Sequence, residues 1–423
     1  MNERKKIIVI GGGFAGLQFI RNIDSNLFDV LLIDKLNHHQ FQPLFYQVAT
    51  SQLEPSSISF PFRKIFQKKK NFQIRMAEVL EIKSHQNTIE TSIGEFSYDY
   101  LIIATGCKTN FFNNVNIEKN AFTLKSTYDA ITIRNHVLQL FEDYISSDAE
   151  DKEAMLNIVI AGAGPTGVEM AGAFAEIKAH ILPKDYPGID FSKLKITVVE
   201  GSPNTLNSMS ENAKLASRNY LNQMGVEVLT SLHVLDYEND VVKLSNDTQI
   251  QSKTLIWAAG VTGNFIPGLP NEVIQRGNRI KVNRVNLVEN TDNVYALGDI
   301  TYMETPKYPN AHPQLANVAI NQAKNLAKNI KLKLQNKSLK EFEYKDLGSM
   351  ATVGKHKAVV DLPNYKFKGV FAWFIWMFLH LMLILSVKNK LIIFINWAWA
   401  YITKDTSLRL ILNKPIKSKS SLN

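Results

Sequence analysis

This chain of 423 residues contains a single cysteine, Cys107. A single thiol excludes an internal disulfide and any Cys-x-x-C redox pair. The N-terminal MNERKK has no apolar run and no cleavage site, so we expect no secretory signal and a cytoplasmic compartment. The sequence also contains no nucleic-acid-binding motif. We therefore expect the net charge of +9 to favour binding to anionic lipid rather than to nucleic acid.

One glycine-rich pattern occurs twice in the chain. IIVIGGGFAG at 7–16 and IVIAGAGPTG at 158–167 each join an apolar β-branched run to G-x-G-x-x-G. A strand, a tight turn and a helix in this order let a pyrophosphate approach the backbone at a helix N-terminus. The alternative is a duplicated fold with one inactive site. An acidic residue follows each copy, so the sequence predicts two working dinucleotide sites.

The first site is predicted to hold a flavin, FAD. Asp34 ends the next strand 18 residues after Gly16, where a carboxylate accepts hydrogen bonds from ribose hydroxyls. YDYLIIATGCKTNF (98–111) and NVYALGDI (293–300) each end an apolar run in a small-residue turn, and we expect a helix dipole after Asp299 to assist phosphate binding. The predicted FAD contacts are Gly11, Gly13, Phe14, Ala15, Gly16, Asp34, Lys35, Ala104, Thr105, Gly106 and Asp299.

The second site is predicted to bind NADH as the mobile electron donor. Glu200 ends its second strand 33 residues after Gly167, because 181–193, rich in proline and glycine, is interpreted as an inserted loop. Glu200 is followed by Gly-Ser-Pro, with no nearby arginine to bind a 2′-phosphate, which favours NADH over NADPH. The predicted NADH contacts are Gly162, Gly164, Pro165, Thr166, Gly167, Glu200, Ala259 and Gly260.

Four segments together resemble the type II NADH dehydrogenases, the non-proton-pumping NADH:quinone oxidoreductases of the two-dinucleotide-binding-domain flavoprotein superfamily. They are NHHQFQPLFYQVATSQLEP (37–55), GAGPTGVEMAGAFAE (162–176), WAAGV (257–261) and the tryptophan-rich C-terminal segment. The resemblance implies hydride transfer from NADH to FAD, then two electrons to a membrane quinone, either ubiquinone or menaquinone, in a homodimer. The single cysteine excludes the glutathione reductase, thioredoxin reductase and sulfide:quinone oxidoreductase mechanisms.

The resemblance also implies roles for individual residues. It places Glu169 near the nicotinamide and flavin, although Glu169 also suits a plain dipole partner in the first turn of its helix. It places Lys357 near the flavin, although Lys357 equally suits a solvated loop. His38 and His39 are interpreted as structural rather than metal ligands, since no third ligand has metal spacing.

The quinone-site helix of the family carries A-Q-x-A-x-Q, and this chain has asparagine at both glutamine positions. Asparagine keeps the amide donor and acceptor but is one methylene shorter. Gln314 and Gln322 lie nearby, and we expect their amide groups to compensate for the shorter side chains. The residues predicted to bind quinone are Gln47, Gln314, Asn317 and Asn321.

The C-terminal segment is predicted to meet a membrane. Residues 370–387 carry no formal charge over 18 residues, and a second apolar run covers 391–403. Three interpretations fit these runs: a spanning helix, a buried helix pair and an in-plane amphipathic anchor. Trp373, Trp376, Trp397, Trp399 and Tyr401 suit a headgroup boundary, and the flanking bases suit anionic lipid: Lys388, Lys390, Lys404, Arg409, Lys414, Lys417 and Lys419.

The family pattern G-x-x-x-W-x-x-W-x-x-x-H is matched by Gly369, Trp373, Trp376 and His380, and implies monotopic attachment. The predicted location is therefore peripheral, on the cytoplasmic side of the cell inner membrane.

The predicted fold class is α/β, with two Rossmann-type dinucleotide-binding domains, the second inserted in the first, and a C-terminal amphipathic membrane-anchoring region. The FAD domain is predicted at 1–125 and 265–330, the NADH domain at 126–264 and the anchor at 331–423, with a lysine-rich helix over 324–340. Two other functions fit the motifs: a flavoprotein reductase with a soluble protein acceptor, and an NADH-sensing flavoprotein.

Overall fold

Two compact units make up the computed structural model, which describes residues 4–146, 152–406 and 408–412. The first unit comprises Met1–Gln40, Ser59–Asn110 and Val261–Leu347, and the second comprises Phe41–Ile58, Phe111–Gly260 and Gly348–Asn423. The segment 126–264, predicted as an inserted domain, overlaps the central part of the second unit. The predicted domain boundaries stay predictions.

The two units contain many short β-strands. They are β1 Lys5–Ile10, β2 Phe28–Asp34, β3 His38–Gln40, β4 Ser59–Pro61, β5 Phe72–Met76, β6 Val79–Lys83, β7 Thr88–Thr91, β8 Gly94–Ser97, β9 Tyr100–Ile103, β10 Cys107–Thr109, β11 Asn157–Ala161, β12 Lys195–Glu200, β13 Glu227–Thr230, β14 Val234–Glu238, β15 Val241–Leu244, β16 Gln249–Gln251, β17 Thr254–Trp257, β18 Val261–Gly263, β19 Ile274–Gln275, β20 Arg279–Lys281, β21 Val294–Ala296, β22 Thr301–Tyr302, β23 Ser349–Gly354, β24 Lys357–Asp361 and β25 Lys366–Lys368.

The helices differ widely in length. They are α1 Phe14–Asn22, α2 Phe45–Ala49, α3 Phe62–Ile65, α4 Val115–Asn120, α5 Thr127–Ser146, α6 Lys152–Met155, α7 Pro165–His180, α8 Leu182–Asp185, α9 Glu211–Gln223, α10 Ala316–Leu334, α11 Val370–Leu383 and α12 Val387–Thr403.

A parallel sheet forms the centre of the first unit, with strand order β21-β9-β1-β2-β5. Its strands are apolar and β-branched because both faces of a parallel sheet are covered, and Ile7–Ile10 of β1 are buried. Helices α1 and α10 pack against each other in this unit. The sheet therefore sets the end of β1 beside the start of α1.

The second unit contains another parallel sheet, with strand order β13-β12-β11-β17. Helix α7 follows β11 and packs closely on β23, because Gly172 has no side chain: a Cβ there would overlap the carbonyl oxygen of Val353. Strands β23, β24 and β25 form an antiparallel sheet, and Ala372 of α11 packs on Ala358 and Val360 of β24. The two parallel sheets confirm the predicted α/β class.

Three local predictions differ from the structure. The inserted segment 181–193 is not only a loop, since it contains the short helix α8 and a 3₁₀ turn at Phe191–Lys193. The lysine-rich helix starts at Ala316 and ends at Leu334, earlier than predicted, because Gln335 begins an irregular segment. The uncharged run 370–387 is interrupted after Leu383, so it is divided between α11 and α12.

None of the helices in the described ranges combines the length and the apolarity needed to cross a bilayer.

Candidate functional site

Two cradles and a cavity

The first glycine motif forms a cradle between β1 and α1. Gly11 adopts a positive φ of 95°, and a Cβ on Gly16 would overlap the carbonyl oxygen of Gly11. The Gly12 N–H donates to Oδ2 of Asp34 at 2.6 Å, so the predicted carboxylate lies directly against the loop. Burial raises the pKa of Asp34.

The second motif repeats this geometry between β11 and α7. Gly162 has a φ of 102°, and a Cβ on Gly167 would overlap the carbonyl oxygen of Gly162. The Ala163 N–H donates to Oε2 of Glu200 at 2.5 Å, and the Ser202 N–H donates to its other oxygen at 2.8 Å. Both glycine motifs therefore build the same loop, with the predicted acidic residue in the same place.

Both cradles fit a dinucleotide. Gly13 and Gly164 begin α1 and α7 without a side-chain cap, neither helix has an acidic residue in its first turn, and a Cβ on either glycine would meet only open space. Uncapped helix N-termini with free space in front of them suit phosphate groups. In the first unit the buried hydroxyl of Thr105 has no partner among the described residues, which leaves it available to a ligand.

The turn that carries Asp299 is held by its neighbours within the first unit. The Cys107 thiol donates to Oδ2 of Asp299 at 3.2 Å, and the Gln314 amide donates to the carbonyl oxygen of Asp299 at 3.0 Å. The prediction of a helix directly after Asp299, whose dipole would assist phosphate binding, is wrong. A single 3₁₀ turn, Gly298–Ile300, follows β21, and the next helix, α10, begins only at Ala316.

Three of the predicted quinone residues lie at or near the start of α10. Asn317 and Asn321 are half-buried, one turn apart on one helix face, and Gln314 precedes the helix. The idea that Gln322 compensates for the shorter asparagines is wrong, because Gln322 is fully buried and accepts a hydrogen bond from Gly298 N–H at 2.8 Å. Gln47, the fourth, lies on α2 of the second unit.

Glu169 is a buried carboxyl group in the second turn of α7, not the first, and is 9% exposed. The Thr352 N–H of β23 donates to it at 3.4 Å, and Trp376 of α11 also favours its charged form. Burial is the larger effect and raises the pKa of Glu169 to about 8. The interpretation as a plain helix-dipole partner is therefore wrong, since such a group would be exposed and ionised.

Glu176 is a functional residue that was not predicted from the sequence, although it lies seven residues after Glu169 on the same face of α7. It accepts a hydrogen bond from the Lys355 backbone N–H at the turn between β23 and β24. Burial raises the pKa of Glu176, while the nearby charges of Lys357 and Lys355 act in the opposite direction. Lys357 itself is half-buried at the start of β24.

A cavity of about 140 Å³ lies in the second unit between α2, α7, β23, α11 and α12. Both glutamates line it, as do three tryptophans. The Trp397 indole N–H donates to Oε1 of Gln47 at 2.8 Å, and the Gln47 amide donates to the Tyr46 hydroxyl at 2.9 Å. The predicted Gln47 is therefore fixed at the cavity wall by its hydrogen bonds.

The C-terminal tryptophans were predicted to face a membrane, but not all of them face outward. Trp376 is 1% exposed and stacks on His380 with ring centroids 4.1 Å apart, and burial lowers the pKa of His380 to about 4. Trp373 and Trp397 line the cavity, whereas Trp399 is 61% exposed. The headgroup interpretation of Trp376 is wrong because its ring is enclosed within the unit.

The outer faces of α11 and α12 are apolar and exposed. Their exposed large side chains are Val370, Phe371, Phe374, Phe378, Leu379, Met382, Leu383, Val387, Leu391, Phe394, Ile395, Trp399, Tyr401 and Ile402. Lys388 and Lys390 lie in the first turn of α12, and Lys404 and Arg409 follow its end. Lys414, Lys417 and Lys419 lie outside the described residues.

His39 has a structural partner, as expected. Its Nδ1 lies 3.0 Å from the carbonyl oxygen of Gly12, and burial lowers its pKa to about 4. His39 therefore contacts the first glycine loop as a neutral imidazole ring that is hydrogen-bonded to the loop backbone.

Comparison with known proteins agrees with this geometry. Residues 5–323 match the family model of the pyridine nucleotide-disulphide oxidoreductases, and residues 347–404 match that of the NDH2 C-terminal domain. The type II NADH:quinone oxidoreductase Ndh of Mycobacterium tuberculosis is 33% identical over 95% of this chain and 89% of its own length. A type II NADH:quinone oxidoreductase of Staphylococcus saprophyticus is 30% identical over 84% of this chain and 89% of its own length.

A solved structure of NDH2 from Plasmodium falciparum in complex with NADH shares the fold, with a TM-score of 0.90 at 24% identity over 97% of this chain and 100% of that chain. The resemblance found in the motifs is confirmed: the chain belongs to the type II NADH:quinone oxidoreductases, within the pyridine nucleotide-disulphide oxidoreductase family.

Proposed function

We propose that this protein is an FAD-dependent NADH:quinone oxidoreductase of a respiratory chain, which reduces a membrane quinone without pumping protons. The observation that carries the proposal is the cavity of the second unit. Its walls contain a buried glutamate, a fixed glutamine and tryptophans of two helices whose outer faces are apolar and exposed. A cavity whose walls combine tryptophan rings with hydrogen-bonding side chains suits a ring with two carbonyl oxygens.

The first cradle is assigned to FAD. Asp34, Thr105 and Asp299 offer a carboxylate, an unpartnered hydroxyl and a second carboxylate beside the glycine loop. Bound FAD supplies the redox chemistry, taking the hydride from NADH and passing two electrons to the quinone. Lys357 is assigned the role that the family resemblance implies, a cation that stabilises negative charge on the flavin.

The second cradle is assigned to NADH. Its glycine loop receives the pyrophosphate at the α7 N-terminus, and Glu200 accepts hydrogen bonds from the adenosine ribose. The carboxylate opposes a 2′-phosphate by like charge, so NADH is preferred to NADPH.

Glu169 is assigned the proton transfer at the quinone. Because its pKa is about 8, most of its carboxyl groups carry a proton at neutral pH. A protonated carboxyl group lining the cavity donates a hydrogen bond and then a proton to a reduced quinone oxygen. Gln47, Gln314, Asn317 and Asn321 are assigned to quinone binding, and ubiquinone or menaquinone fits these groups equally.

The apolar outer faces of α11 and α12 are assigned to membrane lipid. In-plane helices with exposed apolar rings and neighbouring lysines bind one leaflet whose headgroups are anionic. This gives a peripheral protein on the cytoplasmic side of the cell inner membrane. The homodimer implied by the resemblance is part of the same proposal, and light scattering in detergent micelles tests it.

The test is a rapid-mixing experiment on the purified holoenzyme. We expect NADH to bleach the flavin absorbance far faster than NADPH, and a quinone analogue to restore it. Bleaching without recovery by either quinone class would contradict the quinone assignment and favour a soluble protein acceptor or an NADH-sensing role. Equal rates with NADH and NADPH would contradict the role of Glu200.

A further inference from the structure

The cavity of the second unit follows one face of α7. On this helix it is lined by Glu169, Ala173, Glu176, Ile177 and His180, whose spacing places them on one side. Exposure rises along this face, because Glu169 is 9% exposed, Glu176 is half-buried and His180 is exposed. The cavity therefore leads from a buried carboxyl group to the surface of the unit.

Glu176 lies between these two ends. Seven residues of helix separate it from Glu169, a rise of about 10 Å. Direct proton exchange over that distance does not occur, but a cavity of about 140 Å³ accommodates several water molecules. Trp376, which is 1% exposed, lines the same cavity and places its indole N–H toward Glu169, where it favours the charged form of that carboxyl group.

The charges around Glu176 come from several elements. Lys355 and Lys357 face it from the hairpin, Tyr46 faces it from α2, and His180 and Lys404 lie at the outer end of the cavity. Burial still prevails and leaves the pKa of Glu176 raised. A carboxyl group with a raised pKa exchanges protons with water nearer to neutral pH than an ordinary glutamate does.

We propose that Glu176 is a proton-transfer residue, which acts through Glu169 by carrying protons to it from solvent at the His180 end of the cavity. The proposal rests on the quinone reduction proposed above. NADH, one proton from solvent and quinone give NAD⁺ and quinol, so each turnover draws one proton from water.

In this step water at the outer end protonates the Glu176 carboxylate, and Glu176 passes that proton to cavity water. The water then protonates Glu169, which has given its own proton to a reduced quinone oxygen. Only O–H bonds form and break, the two electrons come from NADH, and both carboxyl groups return to their starting state.

The test compares Glu176→Gln and Glu176→Asp with the wild type as full-length holoenzymes. Gln keeps the acceptor for the Lys355 N–H but cannot carry a proton, whereas Asp remains an acid. We expect E176Q to lose on the order of tenfold to a hundredfold in kcat with quinone, and the loss to grow as the pH rises. Its KM for quinone stays unchanged, and E176D keeps most of the turnover.

Three readouts separate proton transfer from a structural role. E176Q shows a larger solvent deuterium isotope effect than the wild type, and added imidazole, a small diffusible proton donor, restores its turnover. Ferricyanide accepts electrons without protons, so the loss with ferricyanide is much smaller than the loss with quinone. Glu118→Gln, which changes an exposed carboxyl group on α4 of the same unit, is the matched control and retains wild-type turnover.

The outcomes are distinct. A wild type that does not reduce quinone refutes the proposed function, whatever the variants do. A wild type that reduces quinone alongside an equally active E176Q refutes the proton-transfer role. Equal losses with quinone and ferricyanide, without imidazole rescue, also refute it. If E176Q does not fold, the solvent isotope effect of E176D decides, and an effect equal to that of the wild type overturns the proposal.

Discussion

Replacing Glu169 by glutamine should remove a large part of the pH dependence of stability of the second unit. In the folded protein the pKa of Glu169 is about 8, whereas an unfolded glutamate has about 4.5. Because the folded value is raised, the stabilisation is complete below about pH 4.5 and is lost as the pH rises through 8. The difference between the folded and unfolded pKa values of Glu169 lowers the free energy of unfolding by about 3 kcal/mol between about pH 5 and pH 8.

The assay is urea unfolding of the wild type and of Glu169→Gln at several pH values, followed by tryptophan fluorescence. All five tryptophans of the chain belong to the second unit, so the signal reports on this unit alone. We expect the wild type to lose about 3 kcal/mol more than E169Q over that pH range, and Glu118→Gln to keep the wild-type slope. Parallel slopes for the wild type and E169Q would refute the burial argument.

Four further changes have defined outcomes. Gly16→Ala should yield protein without flavin absorbance, whereas Gly167→Ala should retain the flavin but no longer be bleached by NADH, because each added Cβ overlaps a carbonyl oxygen in its own cradle. A flavin-loaded G16A would contradict the FAD assignment. Trp397→Phe removes the hydrogen bond that fixes the α2 glutamine, worth about 1 kcal/mol, and should raise the KM for quinone about fivefold in steady-state assays. Ile402→Glu, on the outer face of α12, should weaken binding to anionic vesicles roughly tenfold or more in co-sedimentation, while Tyr128→Glu, equally exposed on α5, should not; equal effects would remove the membrane assignment.

The strands, glycine turns and helices of both cradles were predictable because their information is local. A positive φ and a close backbone approach are required within a few residues of each motif, and only glycine meets both requirements. The position of Asp34 and Glu200 at the ends of the next strands follows from the parallel register.

The environment of Glu169 was not predictable from local sequence. Its partner Thr352 lies 183 residues away along the chain, and Trp397 lies 350 residues from Gln47. Helix α11 is apolar on nearly every side, so its periodicity does not distinguish the enclosed Trp376 from exposed neighbours. Glu176 was the exception: an acidic residue seven positions after Glu169 was a signal that helix geometry alone could have supplied.

The most direct test of the account is NADH oxidation by the holoenzyme on liposomes, with and without a long-chain quinone dissolved in the bilayer. We expect sustained NADH oxidation only when the bilayer contains quinone, with quinol formed in equal amount and no acidification of the liposome interior. Sustained oxidation on quinone-free liposomes, or none on quinone-containing ones, would contradict it.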